Sequence, residues 1–132
     1  MKNLKKRMLP LILIMTTFSF FAQAQNIKKL DPQSFEKKLN ESKGYILVDV
    51  RTSGEYAQGH LANAVLIDIY SDDFKSRVGK LDKSKPVFVY CKAGSRSSSA
   101  VGVFEDLGFK EIYDLSGGIT AWQRASKPIE KK

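Results

Sequence analysis

The sequence predicts an α/β domain whose mainly parallel, five-stranded sheet is flanked by helices. Five short apolar segments alternate with segments of helical spacing, a pattern typical of parallel strands joined by crossover helices. Most of these segments are apolar at successive positions, as strands covered by helices on both faces are. Ligands of such sheets bind beyond the carboxyl ends of the strands. We therefore expect the functional residues to follow strand ends.

The ends of the first two helices are marked by their residue types. Asp31 suits an N-cap and Pro32 the first helical position, because Asp accepts N–H bonds there and Pro has none to offer. Turn-forming residues over 40–44 end this helix. A short second helix over 53–58 ends at Gly59. The strands predicted in this half of the chain are 27–30, 45–50 and 64–69.

The third helix is predicted from a polar start and an apolar pair. Ser71 is expected to cap it, and Phe74 and Val78 lie one turn apart on its inner side. The fourth strand, 86–90, follows after a polar connection. These elements continue the alternation of strand and helix.

The last part of the chain contains two more helices and the fifth strand. A helix over 95–107 has its apolar residues on one face and stops before Gly108, which suits the left-handed position after a helix. A final helix over 119–125 follows. We expect the ordered domain to end at Pro128, before a short charged tail over 129–132. The fifth strand is predicted at 112–115.

The beginning of the chain has the features of a secretory signal peptide. Residues 1–7 carry four cations and no acid, an apolar run covers 8–21, and a small-x-small cleavage pattern ends on Ala24. The apolar run is shorter than the roughly 20 residues that span a membrane. We expect cleavage after Ala24 and a periplasmic or secreted domain over 25–132, with its core at about 27–124; an uncleaved anchor is the alternative.

The composition gives no support for nucleic-acid binding or for a fold that depends on a metal ion or a disulfide. The formal charge is +8, but four positive charges lie in the predicted signal, and the remaining excess is spread along the chain. No repeat of basic and aromatic residues indicates nucleic-acid binding. A chain of about this size buries roughly two thirds of its unfolded surface and folds without a metal or disulfide. The single cysteine, Cys91, is therefore inert and buried, bonded to another molecule, or a reactive thiol.

The stretch 86–100 is the best candidate for an active site. It begins as an apolar strand, reaches Cys91, and passes through a small-residue loop into a helix. This order places the thiol over backbone N–H groups and a helix N-terminus, which favour an anion and lower the pKa of a cysteine. We predict that Cys91 is the nucleophile. The residues expected to bind an anionic substrate are Lys92, Ala93, Gly94, Ser95, Arg96 and Ser97.

The remaining serines and the histidine have structural interpretations. Ser98 and Ser99 are expected to cap N–H groups of the first helical turn, whereas the hydroxyl of Ser97 is within reach of the sulfur. His60, the only histidine, is expected to bond a backbone group or a carboxylate in a turn. A Cys–His pair for acyl transfer is the alternative.

The polar residues after the second strand are predicted to be supporting residues. Asp49, Arg51 and Glu55 are expected to form an ion and hydrogen-bond network that holds this loop. One Cys and one His fall short of the ligand set of a zinc site. We therefore expect neither a metal ion nor a cofactor.

Three segments resemble the signatures of the rhodanese family. Residues 49–61, DVRTSGEYAQGHL, resemble the pattern Asp-x-Arg…Glu-Tyr-x-x-Gly-His-Ile. Residues 90–97, YCKAGSRS, resemble the active loop, and residues 115–122, LSGGITAW, resemble the closing Gly-Gly-x-x-x-Trp segment. The resemblance covers about 27–124. Asn63 stands where the family usually has Gly, and Asn tolerates a positive φ better than most residues.

The resemblance implies a single rhodanese-like domain with sulfurtransferase activity. Cys91 would take the outer sulfur of thiosulfate or another sulfane donor and become a persulfide, while the loop N–H groups and Arg96 hold the donor. A thiol, or cyanide in assays, would then accept the sulfur. Lys92 stands where the family often has Arg, which bears on the choice of donor.

The sequence leaves two other functions open. A rhodanese-like domain can be a sulfur carrier or persulfide relay, or an inert binding module, docked to a partner protein of the cell envelope. Cys-dependent phosphatases and arsenate reductases have a similar loop. Theirs has five residues between Cys and Arg, whereas four separate Cys91 from Arg96, which favours a sulfur donor over phosphate.

Overall fold

The computed structural model describes residues 24–132 and, before them, positions 10, 12, 14, 15, 17 and 19. The predicted signal peptide lies mostly outside the described residues, so its cleavage stays a prediction. No helix in the described part of the chain has the length and apolar character needed to cross a bilayer. The elements are β1 (Asn26–Leu30), α1 (Pro32–Glu41), β2 (Ile46–Asp49), α2 (Ser53–Gln58), β3 (Val65–Leu66), α3 (Phe74–Gly79), β4 (Val87–Tyr90), α4 (Ser95–Asp106), β5 (Glu111–Leu115) and α5 (Gly118–Arg124).

The five strands form one sheet in the order β1-β5-β4-β2-β3, and every neighbouring pair is parallel. The predicted α/β fold with a mainly parallel, five-stranded sheet is confirmed. β2 and β4 are adjacent in the centre of the sheet, so their carboxyl ends meet at the same edge. That edge carries the loops that follow Asp49 and Tyr90.

Two hydrophobic cores lie on opposite faces of the sheet, and β4 contributes to both. Val87 and Val89 pack with α3 and α4, whereas Phe88 and Tyr90 pack with α1 and α5, because successive side chains of a strand point to opposite faces. Phe35 of α1 meets Phe88 edge-on, with ring centroids 5.2 Å apart. Full burial of a side chain such as Phe88 stabilises the fold by about 1.5–3 kcal/mol.

Most predicted helix ends are confirmed. The side chain of Asp31 accepts the N–H of Ser34 at 2.8 Å, and Pro32 begins α1. Gly108 after α4 has φ +90°, and Asn63 has φ +67°. Asn63 therefore adopts the left-handed conformation that its tolerance of positive φ suggested.

Two predictions for the segment before the third helix are wrong. β3 covers only Val65–Leu66, because its regular pairing with the segment after β2 ends there. The N–H of Ile67 bonds the carbonyl of Asp49, but the N–H of Ile69, two residues further along, bonds that of Val50, which is only one residue further along. Ser71 does not cap α3; its hydroxyl bonds the carboxylate of Asp73 instead.

The end of the chain belongs to the folded domain, so the prediction that order ends at Pro128 is wrong. Glu130 pairs antiparallel with His60 through two backbone hydrogen bonds of 2.8 and 2.9 Å. The indole N–H of Trp122 donates to the carbonyl of Pro128 at 2.9 Å, and Ile129 packs against the core of α1 and α5. The tail thus closes over the turn that precedes β3.

Candidate active site

Cys91 lies directly after β4, at the carboxyl edge of the sheet, and only 1% of the residue is exposed. The backbone N–H of Gly94 donates to its sulfur at 3.0 Å. The hydroxyl oxygen of Ser97 lies 3.5 Å from the same sulfur. The loop therefore curves around the sulfur and surrounds it with polar groups.

These polar groups favour the thiolate. Burial raises the pKa of the Cys91 thiol, but hydrogen bonds from the hydroxyl and N–H of Ser97 and from the N–H groups of Gly94 and Ala93 outweigh it, so that the pKa lies below its ordinary value. The thiolate is the nucleophilic form of cysteine. The surroundings of Cys91 therefore favour its nucleophilic form.

The sulfur occupies the place that a capping side chain has at other helices. Gly94, with φ +119°, precedes α4, and no side chain caps this helix. The prediction that Ser98 and Ser99 cap the first turn is wrong: the hydroxyl of Ser98 lies 3.4 Å from Asp114, and that of Ser99 donates to the carbonyl of Ser95. Because the left-handed Gly94 turns the loop inward, the sulfur lies where the N–H groups at the start of α4 converge.

Arg96 and Glu55 form a two-bonded ion pair beside this loop. Two guanidinium nitrogens of Arg96 each donate to a different carboxylate oxygen of Glu55 at 2.8 Å. The bond with Arg96, opposed by burial and helped by Thr52 at the start of α2, lowers the pKa of Glu55 to about 2. The guanidinium of Arg96 is thus already paired with a carboxylate beside the loop. It lies 6.0 Å from the centroid of the exposed ring of Tyr70.

The network predicted for Asp49, Arg51 and Glu55 is correct for two of its three members. The buried carboxylate of Asp49 accepts the backbone N–H, Nε and Nη2 of Arg51, and it also accepts the hydroxyl of Tyr90 at 2.7 Å. Arg51 continues to the carbonyl of Gly59 at 2.6 Å. Glu55 bonds Arg96 and Thr52 instead, because α2 turns its side chain towards the Cys91 loop.

His60 occupies a structural position. Its Nδ1 lies 2.9 Å from the carbonyl of Tyr56, and the two rings stack with their centroids 3.8 Å apart. Nε2 lies 3.9 Å from the carboxylate of Glu130. The Nδ1 contact agrees with the prediction that His60 bonds a backbone group or a carboxylate, whereas the carboxylate of Glu130 is beyond hydrogen-bond distance.

The start of α5 forms hydrogen bonds with the backbone of the Cys91 loop. The N–H groups of Ile119 and Thr120 donate to the carbonyls of Cys91 and Lys92 at 2.9 and 3.1 Å. Gly118 has φ +59°, and a Cβ built on it would lie 2.5 Å from the carbonyl oxygen of Cys91 and closer still to that of Lys92. The approach of α5 to the loop therefore requires glycine at this position, which explains the Gly-Gly sequence physically.

A polar cleft of about 210 Å³ opens next to the loop. Lys92 enters it from the loop, and Ile129 forms part of its wall from the tail. Lys92 and Ala93 are exposed, so a charged molecule can reach the loop from this side. The other lining residues are Arg51, Glu55, Gln58, Gly59, Ile119, Thr120 and Gln123.

Asp114 of β5 was missed by sequence reasoning. The residue is 3% exposed, and its Oδ1 is buried without a hydrogen-bond partner, the one such side-chain atom found in the described residues. Its Oδ2 lies 3.4 Å from the hydroxyl of Ser98 and 4.0 Å from the ammonium of Lys29. The only signal in the sequence is an acid among the apolar residues of the predicted strand 112–115.

The fold and this loop define a class of protein: α/β domains in which hydrogen-bond donors surround a cysteine at the carboxyl edge of a parallel sheet. Residues 31–125 match the model of the rhodanese-like domain family. The chain belongs to this family.

Known proteins are similar over most of the chain. A sulfurtransferase from Allochromatium vinosum is 31% identical over 103 residues, which cover 78% of this chain and 94% of that protein. A tRNA uridine(34) hydroxylase from Chlamydia abortus is 36% identical over 104 residues, but this chain covers only 32% of its length. A rhodanese-related protein from Thermoplasma volcanium superposes with a TM-score of 0.70 at 27% identity, covering 80% of this chain and 99% of that one. A rhodanese-like domain protein from Staphylococcus aureus does so with a TM-score of 0.68 at 31% identity, covering 80% and 98%.

Proposed function

We propose that this protein is a sulfurtransferase that carries sulfane sulfur on Cys91, with thiosulfate or a similar anion as the donor. The observation that carries the proposal is the position of the sulfur, which accepts the N–H of Gly94 at 3.0 Å and lies 3.5 Å from the hydroxyl of Ser97. These donors stabilise a thiolate, and they would equally stabilise the terminal anion of a persulfide. The similarity to a sulfurtransferase along nearly the whole length of that relative supports it.

The reaction consists of two displacements without net oxidation. The Cys91 thiolate attacks the outer sulfur of thiosulfate, a new S–S bond forms, and the bond to the sulfonate sulfur breaks, so that sulfite leaves with the electron pair. A thiolate or cyanide acceptor then attacks the terminal sulfur of the persulfide. That step breaks the S–S bond to Cys91 and restores its thiolate. Covalent catalysis of this kind gives ping-pong kinetics.

The surroundings of Cys91 favour an anionic donor. Lys92 provides an exposed positive charge at the cleft, while Arg96 lies beside the loop in its pair with Glu55. Four residues separate Cys91 from Arg96, one fewer than the loop of Cys-dependent phosphatases has. The smaller loop fits a sulfur atom better than a tetrahedral phosphate.

Intact-mass measurement tests the proposal directly. Incubation of the reduced protein with thiosulfate is expected to add one sulfur atom, about 32 Da, to the wild type and nothing to Cys91→Ser. A sulfinic acid adds nearly the same mass, so cyanide is added afterwards: it removes a sulfane sulfur as thiocyanate and leaves a sulfinic acid untouched. Absence of a cyanide-sensitive adduct would contradict thiosulfate as the donor.

Steady-state kinetics separate an enzyme from a sulfur relay. A sulfurtransferase is expected to produce thiocyanate from thiosulfate and cyanide over many turnovers, with parallel double-reciprocal plots. A relay docked to an envelope protein would form the adduct but show negligible turnover with small acceptors. The same mass assay therefore stays informative for both functions.

We also propose that the protein acts in the periplasm or outside the cell. The basic start, the apolar run and the small-x-small pattern ending on Ala24 support export. N-terminal sequencing of the protein from its native host is expected to begin at Gln25. A chain that still begins with Met1 would contradict cleavage.

A further inference from the structure

The tail that follows α5 is attached to the domain on both sides of Ile129. Before it, the ammonium of Lys127 lies 2.9 Å from a carboxylate oxygen of Glu36. After it, Glu130 and His60 exchange two backbone hydrogen bonds of 2.8 and 2.9 Å. These attachments fix the path of the tail, and with it the position of the isoleucine between them.

Ile129 brings an apolar surface to the cleft beside the Cys91 loop. A Cβ on Gly59 would lie 2.7 Å from the Cδ1 of Ile129, so the missing side chain at Gly59 lets the tail approach this closely. Ile129 is only partly buried. Together with Ile119, it supplies the apolar side chains among the residues that line the cleft.

The cleft also carries a charge that the domain does not neutralise. Arg51 is paired with Asp49 at 2.7 Å, and Glu55 with Arg96 at 2.8 Å. Within the described part of the chain, Lys92 is the charged lining residue that has no ion pair. An exposed ammonium and an apolar wall in one cleft suit a ligand with an anionic group and a short apolar portion.

The cleft lies against the segment that holds the reactive sulfur. Ile119 and Thr120, whose N–H groups bond the carbonyls of Cys91 and Lys92, are themselves lining residues. The volume is about 210 Å³, below the roughly 300–1,000 Å³ of sites for drug-sized ligands. We therefore expect a small molecule in the cleft, with one end next to the Cys91 loop.

We propose that this cleft binds the sulfur acceptor and that Ile129 is a specificity-determining residue for it. The acceptor class is a small thiol that carries an anionic group, such as a carboxylate, and a short apolar chain. The chain contacts Ile129, the anionic group lies near Lys92, and the thiolate attacks the terminal sulfur of the Cys91 persulfide. The S–S bond to Cys91 breaks, so that the acceptor leaves as a persulfide and the Cys91 thiolate is restored. This assignment rests on the proposed sulfur transfer and adds the class of acceptor.

Single-turnover mixing of the persulfide, formed beforehand with thiosulfate, measures the acceptor step alone. The acceptors are mercaptopropionate, mercaptohexanoate with its longer apolar chain, and cyanide. The wild type is expected to react at least about fourfold faster with mercaptohexanoate than with mercaptopropionate, since burial of one methylene group is worth about fourfold. Ile129→Ala is expected to lose this preference. Its rate with cyanide, which has no apolar chain, should stay unchanged.

Lys92→Gln tests the charge of the cleft. The comparison is between mercaptohexanoate and mercaptohexanol, whose thiols are equally nucleophilic because the carboxylate is remote from the sulfur. The wild type is expected to prefer the carboxylate about threefold, as an exposed ion pair allows, and Lys92→Gln to lose this preference. Lys131→Gln is the matched control, because it removes an exposed ammonium of the tail that does not line the cleft; it should keep the preference.

Ile129 also packs against the core, so attachment of the tail is checked by the fluorescence of Trp122. If Ile129→Ala releases the tail, Ile129→Val replaces it; this variant removes one methylene group and should slow the reaction with mercaptohexanoate by about twofold to fourfold. Equal slowing with cyanide and mercaptohexanoate would show a merely structural effect and overturn the role of Ile129. Equal rates of the wild type with the two carboxylates would overturn it as well.

Hexanoate, which has no thiol, separates this inference from the proposed function. It is expected to slow alkylation of the reduced Cys91 by iodoacetamide saturably, and at lower concentrations for the wild type than for Ile129→Ala. Such protection without a thiosulfate adduct would reject the donor but keep the cleft as a binding site. A normal adduct with no preference among acceptors and no protection by hexanoate would reject the cleft but keep sulfur transfer.

Discussion

The loops after β2 and β4 lie side by side at one edge of the sheet, and both gather donors around an anion. After β2, the anion is the carboxylate of Asp49, which Arg51 and the hydroxyl of Tyr90 bind with bonds of 2.7–3.1 Å. After β4, it is the sulfur of Cys91, which accepts the N–H of Gly94 at 3.0 Å. The carboxyl ends of these two adjacent strands thus carry a carboxylate bound by an ion pair in one loop and a cysteine sulfur in the other.

The difference lies in the anion. A carboxylate bonded on this many sides can only hold the chain together, and removing one partner of a buried ion pair leaves the other uncompensated. A thiolate among N–H groups is more abundant at neutral pH because hydrogen bonds stabilise its charge, and it remains a nucleophile although its intrinsic nucleophilicity falls with its pKa. We therefore expect changes after β2 to affect stability and changes after β4 to affect chemistry.

The largest effect is expected from Asp49→Asn. It leaves the guanidinium of Arg51, a residue that is 5% exposed, without a counter-charge, so the free energy of unfolding should fall by about 3–5 kcal/mol. Urea denaturation measures the change. The matched variant on the other loop, Cys91→Ser, is expected to cost about 1 kcal/mol while removing sulfur transfer. Equal costs for the two variants would contradict the division between the loops.

A smaller effect is expected from Gly118→Ala. The added methyl group would meet the carbonyls of Cys91 and Lys92, so the loop must shift, and the rate of persulfide formation should fall at least about tenfold because the donors around the sulfur are displaced. Stopped-flow mixing with thiosulfate measures the rate. Gly102→Ala on α4 is the control: no atom lies within 4 Å of its Cβ, so it should add about 0.5–1 kcal/mol of stability and leave the rate unchanged.

The smallest effect is expected from Glu55→Gln, which breaks the ion pair that joins the two loops. The pKa of Glu55 in the folded protein is about 2, below its value in an unfolded chain. The stabilisation is therefore complete above about pH 5 and is lost as pH falls towards 2. Because the pair is partly exposed, the difference in unfolding free energy should not exceed about 1 kcal/mol.

Urea denaturation of the wild type and Glu55→Gln between pH 2 and pH 6 checks this prediction. Glu41→Gln is the matched control, since Glu41 is 57% exposed and lies 4.0 Å from Lys37; it should change stability little at any pH. A difference for Glu55→Gln that does not diminish towards pH 2 would show that the ion pair is not its source.

The sequence predicted the fold and the position of Cys91 because both depend on local patterns. Strands covered on two faces are apolar throughout, and a strand, a cysteine and a Gly-containing loop before a helix form a continuous stretch. The hydrogen bond between Ser97 and the sulfur followed from their proximity in the chain. The roles of the loop residues in binding a donor stay predictions.

The errors concern contacts between distant parts of the chain. Glu55 and Arg96 are 41 positions apart, and nothing in the spacing showed that Glu55 would prefer Arg96 to the nearer Arg51. The serines of α4 were expected to be caps because Ser is a common N-cap, but the left-handed Gly94 brings the sulfur to that place. At Asp114 the sequence shows a polar residue but no motif or spacing that indicates a role.

Trp122 offers a label-free optical signal for this molecule. It is the only tryptophan in the chain, it is 5% exposed, and its indole donates to Pro128 while α5, on which it lies, supports the Cys91 loop. Its emission therefore reports three events at one wavelength: unfolding of the core, detachment of the tail, and displacement of α5. The fluorophore thus lies on the helix whose N-terminal end bonds the backbone of the Cys91 loop.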